Sequence, residues 1–305
     1  MRKVIVLFIL VFAFGAIYPT YSQIKVITES DLQFKKAYES NIEKGIANIT
    51  TTRYDIEEGK ITEESEKISK VIIDMSKNTY TEITYYPNFS KTVVTFNEQK
   101  NVKDISIYYT DNSLMSRVIT NYEADGITVI NKVYYFGNSM TFKTNYIYSS
   151  GNIIRQDYVD SIGKINSYGK MFYDNSDKLI EEDKYNEKDS LEIVYQFVYD
   201  NSGNCIEESI NYPQSNYTSR ISNKYDISGN IIEKSVFSLG NKMISKNEYK
   251  YDKNGLLVED ISNSIDGKVV SKSEYKYDGS GNKIEWKYTD FVEDIEYLYK
   301  YEYGS

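Results

Sequence analysis

A repeat of fixed length dominates the second half of this 305-residue sequence. Its Tyr-Asp pairs begin 26 residues apart, without insertion or deletion, at Tyr173, Tyr199, Tyr225, Tyr251 and Tyr277, and Tyr303 continues the series. A glutamate follows each pair at the same distance, at Glu181, Glu207, Glu233, Glu259 and Glu285. Such a rigid period indicates one supersecondary unit stacked many times.

Weaker copies extend this repeat toward the N-terminus. Phe96, Tyr122 and Tyr148 follow one another at 26-residue steps, with Tyr148 one residue out of register with Tyr173, so we expect repeats over 96–305 and degenerate repeats over 46–95. In residues 23–45, the segment 30–33 has the pattern of a capping box, and apolar residues then recur at helical spacing. We predict a helix over 31–44 that covers the first edge strand of the sheet.

Each unit is predicted to form a β-hairpin. Two turn signals per unit leave two segments of ordinary strand length, and apolar residues alternate with polar ones along them. If Tyr251 lies opposite Val258, Lys250 faces Glu259, and the pairs Lys224–Glu233 and Lys276–Glu285 follow the same rule. The predicted fold is all-β: an antiparallel hairpin meander that forms a curled single sheet or an open, solenoid-like strip.

The repeat motif resembles that of a known family. Segments 197–204 and 249–255 fit the pattern Tyr/Phe-x-Tyr-Asp-x-x-Gly, which resembles the YD repeats of the RHS family. The resemblance covers the C-terminal two thirds of the chain. It implies a long β-meander in an exported protein, with carbohydrate binding or cell-surface contact as its role. The unit is longer than is usual in that family, and we find no toxin module or motif for releasing one, so we expect no toxin delivery.

The first 22 residues are typical of a secretory signal peptide. Arg2 and Lys3 precede an apolar run over 4–17, and small residues at Thr20 and Ser22 favour cleavage before Gln23. The apolar run is short for a membrane span, and no later segment approaches one. We therefore expect an exported chain, periplasmic, at the cell surface or extracellular, without an integral membrane segment after cleavage.

Composition excludes several kinds of chemistry. The chain has no His and one Cys, which rules out histidine-based catalysis, histidine metal sites and an internal disulfide. With 36 basic and 45 acidic residues, a nucleic-acid partner is not expected. We predict no cofactor and no bound metal. The recurring glutamates occupy equivalent environments, which is unsuited to a catalytic pair, so the chain is predicted not to be an enzyme. Cys205 stands where other units have Ile231 or Leu257 and is interpreted as a small apolar filler.

Aromatic residues are the strongest candidates for binding. The chain has 32 Tyr, and equivalent positions in successive units would form a ladder suited to an extended glycan. The candidate ladder consists of Tyr199, Tyr225, Tyr249, Tyr251, Tyr275, Tyr277, Trp286, Tyr288, Tyr301 and Tyr303. The alternative is that these rings form the core. We accordingly predict a binding or scaffold protein for a carbohydrate or cell-wall polymer. The alternatives are a structural or protein-interaction strip related to RHS systems, and a hydrolase with an unrecognised carboxylate pair.

Overall fold

The structure is a computed structural model that describes residues 29–57, 60–85, 89–215 and 217–304. The predicted signal peptide lies outside these residues. The described part begins with helix α1 (Glu29–Glu43). It continues with strands β1 (Asn48–Glu57), β2 (Lys60–Asp74), β3 (Thr79–Thr84), β4 (Ser90–Phe96), β5 (Val102–Tyr108), β6 (Leu114–Tyr122), β7 (Val129–Phe136), β8 (Ser139–Ser149), β9 (Asn152–Asp160), β10 (Ile165–Tyr173), β11 (Leu179–Asn186), β12 (Leu191–Tyr199), β13 (Cys205–Tyr212), β14 (Tyr217–Tyr225), β15 (Ile231–Ser238), β16 (Lys242–Tyr251), β17 (Leu257–Asn263), β18 (Val269–Tyr277), β19 (Lys283–Asp290) and β20 (Ile295–Gly304).

The strands form one closed antiparallel sheet. Each strand pairs with the next along the chain, and β1 pairs with β20, with Ile49 opposite Tyr303 and Thr51 opposite Tyr301. The predicted all-β, hairpin character is confirmed. The predicted open strip is wrong, because β1 contacts both β2 and β20 and leaves neither end of the sheet unpaired. Closure satisfies backbone groups that an open edge would expose.

Helix α1 is confirmed, but it does not cover an edge strand. Its Tyr38 stacks on Phe96 of β4, with ring centroids 4.2 Å apart, and it packs into a buried cluster with residues of β2 to β5. At its other end Lys44 donates to the side-chain oxygen of Asn282, which lies in the turn between β18 and β19. Because no edge is left to cover, the amphipathic helix contacts the sheet face instead.

The turns that open with aspartate share one geometry. In the turn at Asp200, the carboxylate accepts bonds from the backbone N–H groups of Ser202 (2.9 Å) and Asn204 (2.8 Å). Gly203 has φ near +90°, a conformation that glycine adopts without steric cost. The same bonds recur at Asp226, Asp252 and Asp278, so the turn is determined locally by the sequence.

A bulge in each of these hairpins changes the predicted register. Lys250 does face Glu259, but Tyr251 lies opposite Leu257, and Val258 is the extra residue of the bulge. The repeated Ile therefore turns outward, with Ile180 and Ile232 about two-fifths exposed, at 40% and 38%. We call the face that packs on α1 and carries the buried clusters the inner face, and the opposite one the outer face.

The predicted lysine–glutamate ladder is confirmed on the outer face. Nζ to carboxylate distances are 2.9 Å for Lys224–Glu233, 2.6 Å for Lys250–Glu259 and 2.6 Å for Lys276–Glu285. Each lysine is largely exposed, so each pair contributes only tenths of a kcal/mol. The ladder favours the observed register, because a one-residue slip of one strand would place the lysine and the glutamate of each pair on opposite faces of the sheet.

Closure of the sheet predicts an efficient cross-link between its first and last strands. Thr50 lies opposite Glu302, so the double variant Thr50→Cys/Glu302→Cys places two cysteines within disulfide reach. We expect near-complete oxidation to an internal disulfide, measured by thiol titration and by mobility on non-reducing gels. Cys205 is buried and should not interfere.

The matched control is Thr50→Cys/Glu274→Cys, because β18 is three strands from β1, about 14 Å away. Equal cross-linking in both variants, or none in the first, would contradict a closed sheet.

Candidate functional site

Half of the residues of the predicted aromatic ladder use their hydroxyls to bond the protein backbone. In five strands, the tyrosine at or next to the C-terminal end donates its hydroxyl to a backbone carbonyl of the preceding unit. The acceptor is the first residue of the strand that follows that unit's aspartate turn. The bonds are Tyr199 to Leu179 (2.8 Å), Tyr225 to Cys205 (2.8 Å), Tyr251 to Ile231 (2.9 Å), Tyr277 to Leu257 (2.7 Å) and Tyr303 to Lys283 (2.7 Å). Earlier strands repeat the bond, for example from Tyr173 to Ile153.

These hydroxyls replace backbone pairing that the bulges interrupt. The ladder between β11 and β12 ends where Glu181 faces Gln196, so residues 197–199 have no partner in β11. The other junctions between units end in the same way at Glu207, Glu233, Glu259 and Glu285. A bulge increases strand twist and separates the strands beyond it. The tyrosine hydroxyl then satisfies a carbonyl that would otherwise lack a partner.

Removing one such hydroxyl should destabilise the protein. In Tyr251→Phe the carbonyl of Ile231 loses its bond while the ring remains, so we expect unfolding to become easier by about 1 kcal/mol. Urea unfolding followed by circular dichroism measures the change. Tyr217→Phe is the control, because that tyrosine lies on the surface at the start of β14. Equal midpoints for the two variants would show that the bond has no structural role.

The other candidate aromatics line the inner face of β16 to β20. Trp286 lies between Tyr275 and Tyr299, with ring centroids 6.3 Å and 4.5 Å away and interplanar angles of 19° and 17°. Tyr288 meets the Trp286 ring edge-on at 6.2 Å. We define the aromatic wall as the partly exposed residues Tyr249, Tyr275, Trp286, Tyr288, Tyr299 and Tyr301.

Charged residues occupy the same inner face on alternate strands from β11 to β17. They stand one residue after the recurring glutamate, at Glu182, Glu208, Lys234 and Asp260, and the next unit has Trp286 there. Sequence analysis missed them. The sequence signal that could have identified them is that the residue after the recurring glutamate varies from unit to unit, whereas most of the motif is constant. The carboxylate of Asp260 accepts a 2.6 Å bond from the Tyr275 hydroxyl.

Glu208 has the most perturbed of these carboxyl groups. It is 3% exposed, it faces Phe197 across the hairpin, and its Oε1 has no hydrogen-bond partner among the described residues. Burial raises the pKa of Glu208 to about 7, and the charge of Glu182 adds to the rise while Lys234 opposes it. Burial also raises the pKa of Glu182, whose carboxylate lies 3.7 Å from Lys184. At both carboxyl groups the effect of burial on the pKa thus outweighs the attraction of the nearby lysine, Lys184 for Glu182 and Lys234 for Glu208.

Ionisation of Glu208 should destabilise the fold as the pH rises. The folded carboxyl keeps its proton from the ordinary pKa of 4.5 up to about 7, whereas the unfolded chain releases it, so stability falls across this window. Glu208→Gln removes the loss and should be more stable than the parent at pH 8, by up to roughly 3 kcal/mol.

Urea unfolding at pH 5 and pH 8 measures this difference. Glu207→Gln is the matched control, because its carboxylate lies on the outer face with Arg220 at 2.8 Å. If the stability of Glu208→Gln changed between pH 5 and pH 8 as much as that of the parent, the assignment to Glu208 would be contradicted.

The remaining candidates have structural positions. Cys205 is buried in the core cluster, as the filler interpretation predicts, and burial raises the pKa of its thiol to about 11. The recurring glutamates lie on the outer face, paired with lysine or arginine in several units. No group of three or more Cys, Asp or Glu in the described ranges is placed to hold a metal ion. The turn aspartates direct their oxygens at their own backbone.

Comparisons with known proteins give remote matches. No family model and no curated protein matches this chain. Among solved structures, a Photorhabdus luminescens Tc holotoxin pore is 10% identical with a TM-score of 0.33, over 87% of this chain and 17% of that one. A porin-like protein from Bacteroides uniformis is 8% identical with a TM-score of 0.38, over 85% and 98%.

These scores are too low to carry an inference about function, and this chain spans less than a fifth of the toxin chain. None of the helical residues that the structure describes belongs to a helix long and apolar enough to cross a membrane.

Proposed function

We propose that the chain is an exported, non-enzymatic binding protein whose aromatic wall holds an extended carbohydrate or cell-wall polymer. The observation that carries this proposal is the aromatic wall itself: rings that are partly exposed on the inner face, next to the Asp260 carboxylate. Export rests on the signal-peptide pattern of the first 22 residues. The similarity to YD repeats of the RHS family supports the same class of role.

The tyrosines of the wall differ from those that end the strands. Tyr249 and Tyr275 stand two residues before Tyr251 and Tyr277, and none of their hydroxyls is needed to satisfy a strand carbonyl. Tyr275 bonds the Asp260 carboxylate instead. A partly exposed ring with a polar hydroxyl offers an apolar surface and a hydrogen-bonding group together, which suits a sugar ring.

A carboxyl group within the wall supplies an acceptor of the kind that sugar hydroxyls require. Asp260 lies on the inner face opposite Tyr249 of the neighbouring strand, and its carboxylate accepts the bond from the Tyr275 hydroxyl. A carboxylate has several lone pairs, so it can accept a further bond from a ligand hydroxyl. Aromatic rings beside a few polar groups are the usual composition of a small-molecule site.

Loss of two rings of the wall should remove glycan binding. We expect Tyr249→Ala/Tyr275→Ala to bind at least about tenfold more weakly than the parent chain in a polysaccharide and glycan array, because contact residues of this type each contribute over 1 kcal/mol. Dissociation constants from titrations with the best array ligand provide the measurement.

The matched control is Tyr168→Ala/Tyr185→Ala, which removes a stacked pair from the outer face, with centroids 4.9 Å apart. Equal losses in both double variants would indicate general destabilisation. Undiminished binding by the first would place the ligand elsewhere, and no binding by the parent chain would favour the alternative of a structural or protein-interaction scaffold.

A further inference from the structure

Lys283 interrupts an apolar position of the repeat. The equivalent residues of the four preceding units are Leu179, Cys205, Ile231 and Leu257. Leu179 is fully buried, Cys205 is 5% exposed, and Ile231 and Leu257 are half-buried, so this position places an apolar side chain on the inner face next to the terminal tyrosine. Replacing an apolar residue by lysine here costs desolvation of the ammonium without improving the packing. The presence of lysine at position 283 is therefore not explained by a contribution to the stability of the fold.

Aromatic rings surround the Lys283 ammonium. Its Nζ lies 4.9 Å from the Tyr301 ring centroid, 5.4 Å from that of Tyr275 and 5.9 Å from that of Trp286. No carboxylate within 4 Å pairs with it among the described residues, and burial lowers the pKa of Lys283. By contrast, Lys276 on the outer face of the same hairpin has Glu285 at 2.6 Å. The rings attract the cation but leave its charge without a counter-ion.

We propose that the aromatic wall binds an anionic glycan, with Lys283 as the anchor for a carboxylate on one of its sugars. This inference rests on the proposed function and names the class of ligand. A sugar of the uronic acid type presents both an apolar ring face, for Trp286 and Tyr275, and a carboxylate in reach of the ammonium. Pairing with that carboxylate compensates the desolvation that lysine suffers at this position.

The charges nearby fit one carboxylate better than a phosphate. Phosphate groups usually gather several donors or a bidentate arginine, whereas Lys283 supplies one compact cation. Arg53, which lies over the Tyr297 ring beside the wall, already has Glu66 at 2.8 Å. Asp260 is two strands from Lys283, and its carboxylate accepts a hydrogen bond from the Tyr275 hydroxyl. The local environment of Lys283 is thus suited to an anion although the whole chain is acidic.

Trp286 gives a direct measurement of binding at this site. It is the single tryptophan of the chain, and its fluorescence reports contacts beside Lys283. The probes are hexamers of galacturonate and of mannuronate, each compared with its fully methyl-esterified form, added to the exported chain at neutral pH. We expect at least one acidic hexamer to bind about tenfold or more tightly than its ester, which is the size of one ion pair in a partly buried site.

Three variants identify the anchor. Lys283→Leu restores the residue found at Leu179 and Leu257, so it should fold, and we expect it to lose the preference for the acid form. Lys283→Arg keeps the charge and should retain part of that preference. Lys276→Leu removes a lysine from the outer face of the same hairpin and should leave the preference unchanged.

The outcomes separate the two proposals. Equal affinity for acid and ester in the parent chain, or a preference that survives in Lys283→Leu, overturns the anchor but leaves glycan binding intact. If no hexamer of either form alters the fluorescence or binds by calorimetry, the anchor is wrong, and the glycan-binding wall stands or falls separately on the array comparison of the parent chain with Tyr249→Ala/Tyr275→Ala. Loss of affinity for acid and ester alike in Lys283→Leu also overturns the anchor, since it shows a packing role.

Discussion

The hydrogen bond from a terminal tyrosine to the carbonyl of the preceding unit is the contact that permits a sheet of this size. Each Asp-turn hairpin contains a bulge, and the backbone pairing with the neighbouring unit ends at the recurring glutamate. The carbonyl beyond that point is bonded by side-chain donors: by the terminal tyrosine at each junction, and at Cys205 by the amide of Asn223 as well. The hydroxyl of Tyr199, Tyr225 or an equivalent tyrosine donates to that carbonyl. The strands can therefore twist while this backbone group stays hydrogen-bonded.

This requirement divides the tyrosines into two groups with different freedom. Those that end strands must stay where they are, because their hydroxyls satisfy the backbone. Those two residues earlier, such as Tyr249 and Tyr275, face the same way without that duty. The chain can therefore vary the earlier positions: one preceding unit has Phe197 there, and another has Asn223, whose side-chain amide donates to the Cys205 carbonyl at 3.1 Å beside the Tyr225 hydroxyl. The terminal tyrosines stay constant to preserve the fold, whereas the positions two residues earlier can change from unit to unit and form a binding site.

Two departures from the repeat stand together in its last full unit. Lys283 replaces an apolar residue, and Trp286 replaces the charged residues of the units before it. Both lie on the inner face, and Lys283 contacts the ring of Trp286 at 5.9 Å. In the stacked geometry of a hairpin array, one changed unit creates one local site, because each unit contacts only its neighbours in the sheet. The candidate site is therefore confined to a few neighbouring strands of the closed sheet.

Local interactions explain how much of the fold could be predicted. The hairpins, the aspartate turns, helix α1 and the Lys250–Glu259 pair all depend on residues close in sequence, and the structure confirms them. The bulge was missed because Leu257 and Val258 are both apolar, so either could be assigned to the inner face, and only the pairing shows that Val258 is the extra residue. For the site, the ladder positions were predictable, but the two groups of tyrosines were indistinguishable by pattern.

By itself, the sequence determined the period, the hairpin unit, the turn chemistry and the residues that share a strand face, since these follow from spacing within about one repeat. Tertiary structure alone decided that the sheet closes, because the pairing of β1 with β20 joins segments some 250 residues apart. It also decided which face is inner and which tyrosine hydroxyls are engaged. Both depend on strand twist accumulated around twenty strands, a quantity that no single repeat encodes.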